Sequence, residues 1–269
     1  PFFVDLREGA QQEADRLGVE LRVADAGEDA SQQANAVQNA IAQDVDAIVL
    51  NPVDSDAVVP SVKAANAAEI PVIGVDRAPS GGTVVTTVAS DNVAGGRLAA
   101  QQLAQLVGSG PVAVLEGQPG TSAARERGQG FTEEIRNHPG IQVVASQPAD
   151  FDRTKALDVM QNIVQAHPEV RGVFAANDEM ALGAIKALGA RAGTDVKVVG
   201  FDGTPEGLAA VQAGTESADV AQQPKLLGKA AVEQAVRAAR AHDLGPGAPT
   251  NIPVQVVTKE TVEAFLRDQ

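Results

Sequence analysis

Two amide–acid pairs recur in this chain at one spacing. Asn51 and Asp76 lie 25 residues apart, and so do Asn177 and Asp202. In each pair the Asn closes one β-branched run (IVLN, VFAAN) and the Asp closes the next (VIGVD, VVGFD), with a helical stretch between. Carboxylates accept hydrogen bonds and carboxamides both donate and accept, so a matched quartet of this kind could hold a ligand rich in hydroxyls. Each residue could equally be an N-cap, its oxygen accepting from the free N–H groups of the helix that follows. Capping does not require two copies to converge. A shared binding cleft does.

The elements that must position these residues repeat as well. Segments Ile48–Arg77 and Val173–Gly203 are each a strand, a helix and a strand, and Gly9–Val23 matches Gly130–Val144 as helix plus strand. Two copies of one α/β unit follow, opening near Pro1 and Pro111. Strands are expected at Glu20–Ala24, Ala47–Leu50, Pro71–Val75, Val84–Val88, Pro111–Glu116, Ile141–Ala145, Gly172–Ala175, Val196–Gly200, Ser217–Ala221 and Pro253–Val257. Helices lie between them, the first over Phe3–Leu17 with Gly18 as its stop. Alternation of this kind argues for βαβ units and parallel sheets covered on both faces. The fold class is α/β, two doubly wound Rossmann-like lobes joined by a three-strand hinge. One lobe takes residues 1–90 plus 223–254 and the other 91–222 plus 255–269, with crossings near Ser90–Asp91, Gln222–Gln223 and Gln255. Leu244–Pro249 reads as a connector. The second copy carries a strand ahead of its first helix where the first copy has none. A strand of about ten residues is therefore expected to precede Pro1, central in a 2-1-3-4-5 sheet, and a chain without it is expected to be poorly stable.

Composition narrows the chemistry. Of 269 residues, 44% are hydrophobic and 21% charged, and the net charge is −14. That body repels phosphate backbones, so nucleic acid is not an expected partner, although an acidic regulatory domain that has lost a basic DNA-binding module stays open. Cysteine is absent, which removes disulfides and thiolate chemistry. Trp and Tyr are absent too, so any stacking onto a ligand must use the seven Phe. His138, His167 and His242 read as helix ends, and no two have metal-ligand spacing. No G-x-S-x-G, Walker or GxGxxG signature is present. No metal and no cofactor is expected.

A resemblance enters at the motifs themselves. PFFVDLREGAQQEADRLG (Pro1–Gly18), NPVDSDAV (Asn51–Val58), ASDNVAGG (Ala89–Gly96), GTSAARERGQGF (Gly120–Phe131), ASQPADFDR (Ala145–Arg153), NDEMALGA (Asn177–Ala184) and VVGFDGTP (Val198–Pro205) resemble the ribose-binding proteins of bacterial ABC transporters. That family is of the periplasmic-binding-protein type I class with a LacI-like core. The likeness runs to about Val257, and the short helix expected over Thr258–Gln269 lies beyond it.

The resemblance implies a site. Phe2, Phe3 and Phe151 would sandwich the apolar faces of a pyranose. Asp76 and Asp202 would accept from its hydroxyls, Arg77 and Arg127 would donate, Asn177 and Gln222 would do both, and Asn51 would support them. The family's Asn ahead of Pro-Phe-Phe has no counterpart in this chain. Arg125 is expected on the surface, and Asp91 and Asn92 at a helix cap without ligand contact. The implied partners are a monosaccharide, D-ribose first, a membrane ABC permease and a chemoreceptor, with the protein a monomer. The implied place is the periplasm, or the outer membrane face through a lipid anchor.

Catalysis fits these residues poorly. A glycosidase pair needs one carboxyl held protonated, yet Asp76 adjoins Arg77 and Asp202 is expected to share its cleft with Arg127, and cations favour the ionised form. An enzyme is not expected. The alternative reading is the effector domain of a LacI-type regulator, which shares fold and cleft.

Overall fold

The computed structural model describes residues 1–267. In chain order the elements are α1 (Phe2–Leu17), α2 (Ala30–Ala42), β1 (Ile48–Leu50), α3 (Val59–Ala67), β2 (Val72–Val75) and β3 (Thr86–Ser90). Then come α4 (Asn92–Val107), β4 (Gly110–Glu116), α5 (Ser122–Ile135), β5 (Ile141–Pro148), α6 (Arg153–Ala166), β6 (Gly172–Ala175) and α7 (Asp178–Leu188). The chain closes with β7 (Lys197–Asp202), α8 (Pro205–Ala213), β8 (Ala218–Ala221), α9 (Pro224–Ala241), β9 (Thr250–Ile252), β10 (Gln255–Thr258) and α10 (Val262–Arg267). Asp268 and Gln269, the end of the helix expected at the C-terminus, lie outside the described residues.

Backbone packing divides the chain into two compact units. One comprises Pro1–Ser90, Gly120–Ala123 and Gln223–Ile252, the other Asp91–Pro119, Ala124–Gln222 and Pro253–Gln269. The first holds a four-stranded sheet in the order β1-β2-β3-β9, parallel throughout. The second holds six strands in the order β10-β8-β7-β6-β4-β5. Five of them give the doubly wound 2-1-3-4-5 order. The sixth, β10, departs from the expectation of parallel sheets and runs antiparallel to β8. The chain between β8 and β10 runs through α9 and β9, which belong to the first unit, so β10 returns without a crossover helix packed on this sheet and is not forced parallel.

Two further expectations are corrected. Glu20–Ala24 is not a strand, and its Val23 is 56% exposed. Extended backbone becomes a strand only beside a ladder partner, and no strand of the first unit pairs with it. The strand expected at Pro253–Val257 starts two residues later, as β10, and a short strand that was not expected, β9, ends just before Pro253, which has no N–H for a ladder.

Helix ends follow local chemistry. Gly18 closes α1 at φ 68°, Asp29 caps α2 and Asp91 caps α4. In the first unit, Leu227, Ala231, Ala235 and Ala238 of α9 pack with Ile73, Val75 and Val88 of the sheet. Helix α1 docks on α9 through facing glycines. A Cβ on Gly9 would come 2.0 Å from the Lys225 carbonyl oxygen, and one on Gly228 2.0 Å from that of Leu6. Gly228→Ala is therefore expected to push the helices apart and to cost about 1–3 kcal/mol of stability, as overpacking does. An unchanged urea midpoint would show that the two helices do not meet this closely. The second unit centres on Phe131 and Phe174, stacked with centroids 4.8 Å apart, and on buried Phe201.

Candidate functional site

The polar residues singled out by spacing lie at the carboxyl ends of parallel strands, where α/β sheets receive ligands. In the first unit Asn51 follows β1 and Asp76 follows β2. Asp76 is buried, and its N–H donates to the Val88 carbonyl at 2.8 Å. Arg77 places Nε 3.7 Å from Asp76 Oδ2 and donates from Nη1 to the Pro52 carbonyl at 3.3 Å. Its guanidinium carbon lies 5.7 Å from the Phe3 ring centre, and Phe3 meets Phe2 edge-on at 5.2 Å. Phe3 is 48% exposed, unusual for a ring that could have packed inward. The backbone carbonyl of Asn51 accepts from Gln33 Nε2 at 2.7 Å, while its own Oδ1 is buried with no hydrogen-bond partner. A buried acceptor left unsatisfied is costly, and a ligand hydroxyl is one group that would satisfy it.

In the second unit Asp202 ends β7, Gln222 follows β8, and Asn177 and Phe151 sit in the turns after β6 and β5. Arg127, on α5, organises this half. Its Nε donates to Asn92 Oδ1 at 2.9 Å and its Nη1 to the Ala176 carbonyl at 2.7 Å, with Asp202 Oδ1 at 3.4 Å. The guanidinium carbon stands 3.9 Å from the Phe201 ring centre and 5.7 Å from that of Phe151. Gln222 Nε2 donates to Asp202 Oδ1 at 2.6 Å, leaving Gln222 Oε1 buried and without a partner. Asn177 does cap α7, its Oδ1 accepting from Met180 N at 2.9 Å. Its Nδ2 is the end that the cap does not use.

Backbone conformation separates these residues from ordinary turn formers. Asp76 has φ 62°, Asp202 φ 127° and Phe151 φ 60°. Residues other than glycine avoid positive φ, and where the surroundings enforce it the site is often functional. The two acids matched by the duplication are thus also matched in strain.

Sequence reasoning missed three features of this site. Asn92 was assigned to a helix cap, yet its side chain orients Arg127. Phe201 lies under the same guanidinium. Gly117 lies against Phe151, and a Cβ there would come 2.2 Å from the ring. Each is a three-dimensional contact between segments far apart in sequence. Arg125 is exposed, as expected.

A family model described as a periplasmic binding protein domain matches residues 1–243. The chain belongs to that periplasmic binding protein family. Among curated members, the ribose import binding protein of Salmonella typhimurium is 51% identical over 236 residues, which is 87% of this chain and 79% of that protein. The ribose import binding protein of Escherichia coli is 47% identical over 257 residues, covering 95% and 86% of the two chains. Among solved members, an ABC transporter periplasmic solute binding protein from Actinobacillus succinogenes with bound D-allose is 34% identical, with a TM-score of 0.90 over 98% of this chain and 95% of that one. One from Mycobacterium smegmatis with bound glycerol is 37% identical at a TM-score of 0.91, covering 98% and 92%.

Proposed function

We propose that this periplasmic binding protein is the sugar-receiving component of an ABC importer, with D-ribose as its sugar. The observation that carries the reading is the twin placement of Asp76 and Asp202, each at a strand's carboxyl end, each at positive φ and each beside an arginine. A neutral polyol surrenders water at each hydroxyl and needs acceptors and donors in return. Asp76 and Asp202 accept, Arg77 and Arg127 donate, and Asn51, Asn177 and Gln222 complete the ring edge. Phe2, Phe3 and Phe151 cover its C–H faces.

Sugar that touches both units binds their closed arrangement better than the open one and shifts the population toward it by that difference. The two lobes take residues 1–90 plus 223–254 and 91–222 plus 255–269, and a permease reads the closed form. The protein works outside the cytoplasmic membrane, as a monomer, and also serves a chemoreceptor. Among the described residues no helix is long and apolar enough to cross a membrane. The reaction is binding alone. Asp202, 3.4 Å from Arg127 and bonded to Gln222, is placed to accept a hydroxyl proton's hydrogen bond rather than to give up a proton.

Calorimetry and thermal unfolding with a panel of monosaccharides test this. Ribose at roughly a hundredfold over its Kd should stabilise the protein by about 2.7 kcal/mol. A different sugar binding more tightly would replace ribose, and no response to any sugar would remove the reading. Gly117→Ala tests the stacking residue through its support. The added methyl must move the Phe151 ring, so ribose affinity should fall about tenfold, approaching the loss in Phe151→Ala. Unaltered affinity in both variants would take Phe151 out of the site.

A further inference from the structure

The second unit buries three carboxyl groups that sugar binding does not use. Asp178 opens α7, Asp219 lies within β8, and Glu216 sits in the turn before it, and each is fully buried. One oxygen from each lies within 4.8 Å of the others. Asp178 Oδ2 accepts from Thr204 N at 2.7 Å and Thr204 Oγ1 at 2.6 Å. The remaining five oxygens, Asp178 Oδ1 and both pairs on Glu216 and Asp219, are buried with no partner. Glu216 in particular makes no hydrogen bond of ordinary geometry, with only the Gly200 N–H favouring its charge, and it lies with the Asp178–Asp219 pair.

Three ionised carboxylates cannot remain in this place. Isolated buried charges are costly, and such groups neutralise instead. Cations that could compensate are engaged elsewhere. On α6, Arg153 pairs with Glu179 of α7 and Glu206 of α8. On α4, Arg97 pairs with Glu133, Lys197 of β7 donates to the Gly193 carbonyl, and Lys259 after β10 lies beside Gly214. From β7, Asp202 adds the field of another anion. Space is also short. A methyl on Gly200 would stand 2.1 Å from Glu216 Oε1, and one on Gly207 2.2 Å from Asp178 Oδ2. Protons need no room, and each turns a contact between two acceptors into a hydrogen bond.

We propose that Asp178, Glu216 and Asp219 form a proton-holding latch, in which two protons shared among three carboxyls fix the turn between β7 and α8 that carries Asp202. The single remaining charge is shared within the group, which Thr204 steadies by donating twice to Asp178. Thr204 also caps α8 through Gly207 N at 3.2 Å and stands two residues beyond Asp202. Burial raises all three groups well above the usual carboxylate range. Asp219 adds to this at Asp178, Asp178 at Glu216 and Glu216 at Asp219. The folded chain thus keeps protons that an unfolded chain, with carboxyls titrating near pH ~4, has released. Stability from the latch is full below about that pH and is lost as pH climbs through the raised values, with the unfolding equilibrium constant rising about tenfold per pH unit for each proton held.

The test needs no sugar, so its outcome is independent of the ribose assignment. Carboxyl carbon NMR at pH 7 should show protonated side chains that disappear in Glu216→Gln/Asp219→Asn. If every carboxyl in the native protein is ionised at that pH, the latch is wrong. Urea midpoints of the native protein should fall from pH 5 to pH 9, while the double variant, whose amides supply the missing N–H donors, should hold nearly level. Glu126, which burial also raises, contributes equally to both. Parallel slopes would overturn the proposal. So would a midpoint that drops on adding EDTA and recovers with calcium, because the group would then hold a cation.

Discussion

Asp202→Gly should lower ribose affinity by at least a hundredfold while leaving the protein folded. Hydrogen bonds to a charged partner contribute about 1.5–3 kcal/mol each, and a strand-end carboxylate presents two oxygens. Loss of two such bonds is about 3–6 kcal/mol, and each ~1.4 kcal/mol is tenfold in Kd. Glycine is the informative replacement because position 202 sits at φ 127°, which alanine resists and glycine accepts. Asp202→Ala should show the same loss of binding plus a lower urea midpoint from backbone strain. Calorimetry gives the first quantity and denaturation the second. Unchanged affinity in the glycine variant would remove Asp202 from the site.

Arg127→Met is expected to have the larger effect on the fold. The side chain is buried between Asn92, the Ala176 carbonyl, Asp202 and the faces of Phe201 and Phe151. Methionine keeps much of the stem but leaves Asp202 as a buried acid without its cation, and breaking such a pair costs about 3–5 kcal/mol. Ribose binding should be lost together with this stability. Arg127→Lys should not restore either property, because an ammonium lacks the planar fork that reaches three partners and lies flat on a ring. A variant within about 0.5 kcal/mol of the parent, well inside the ordinary range for surface changes, would show that this guanidinium is not a structural tie.

Alternating strands and helices were legible because periodicity reports burial, and burial decides pairing. The parallel core of the second unit follows from runs such as VVGFD, which are apolar on both faces. Glu20–Ala24 (ELRVA) alternates polar and apolar as a half-buried strand does but has no ladder, since residue order says nothing of which neighbour is present. Proline at 253 was visible, yet residue order does not show that the three residues before it, β9, pair with β3 in the first unit's sheet. The candidate ligand residues stood out by duplication. Their supports did not. Asn92 resembles any residue at a helix start, and Gly117 any loop glycine. Glu216 and Asp219 lie in TESAD, at the start of the strand expected over Ser217–Ala221, and nothing in that segment marks its two acids as buried. Their burial is set by how β8 sits between β7 and β10, and no window of sequence contains that.

The first unit is closed by pieces far apart along the chain: β9 completes its sheet and α9 covers it, whereas most of the second unit comes from residues 91–222, broken only at Gly120–Ala123. A ribosome delivers these parts in order. The opening ninety or so residues therefore emerge without their cover and must wait, while the later stretch can assemble as soon as it is clear of the exit tunnel. Local contacts also form faster than distant ones. Pulse-labelled amide exchange should accordingly protect β4, β6 and β7 before β2 and β3, so that the half made first is the half finished last.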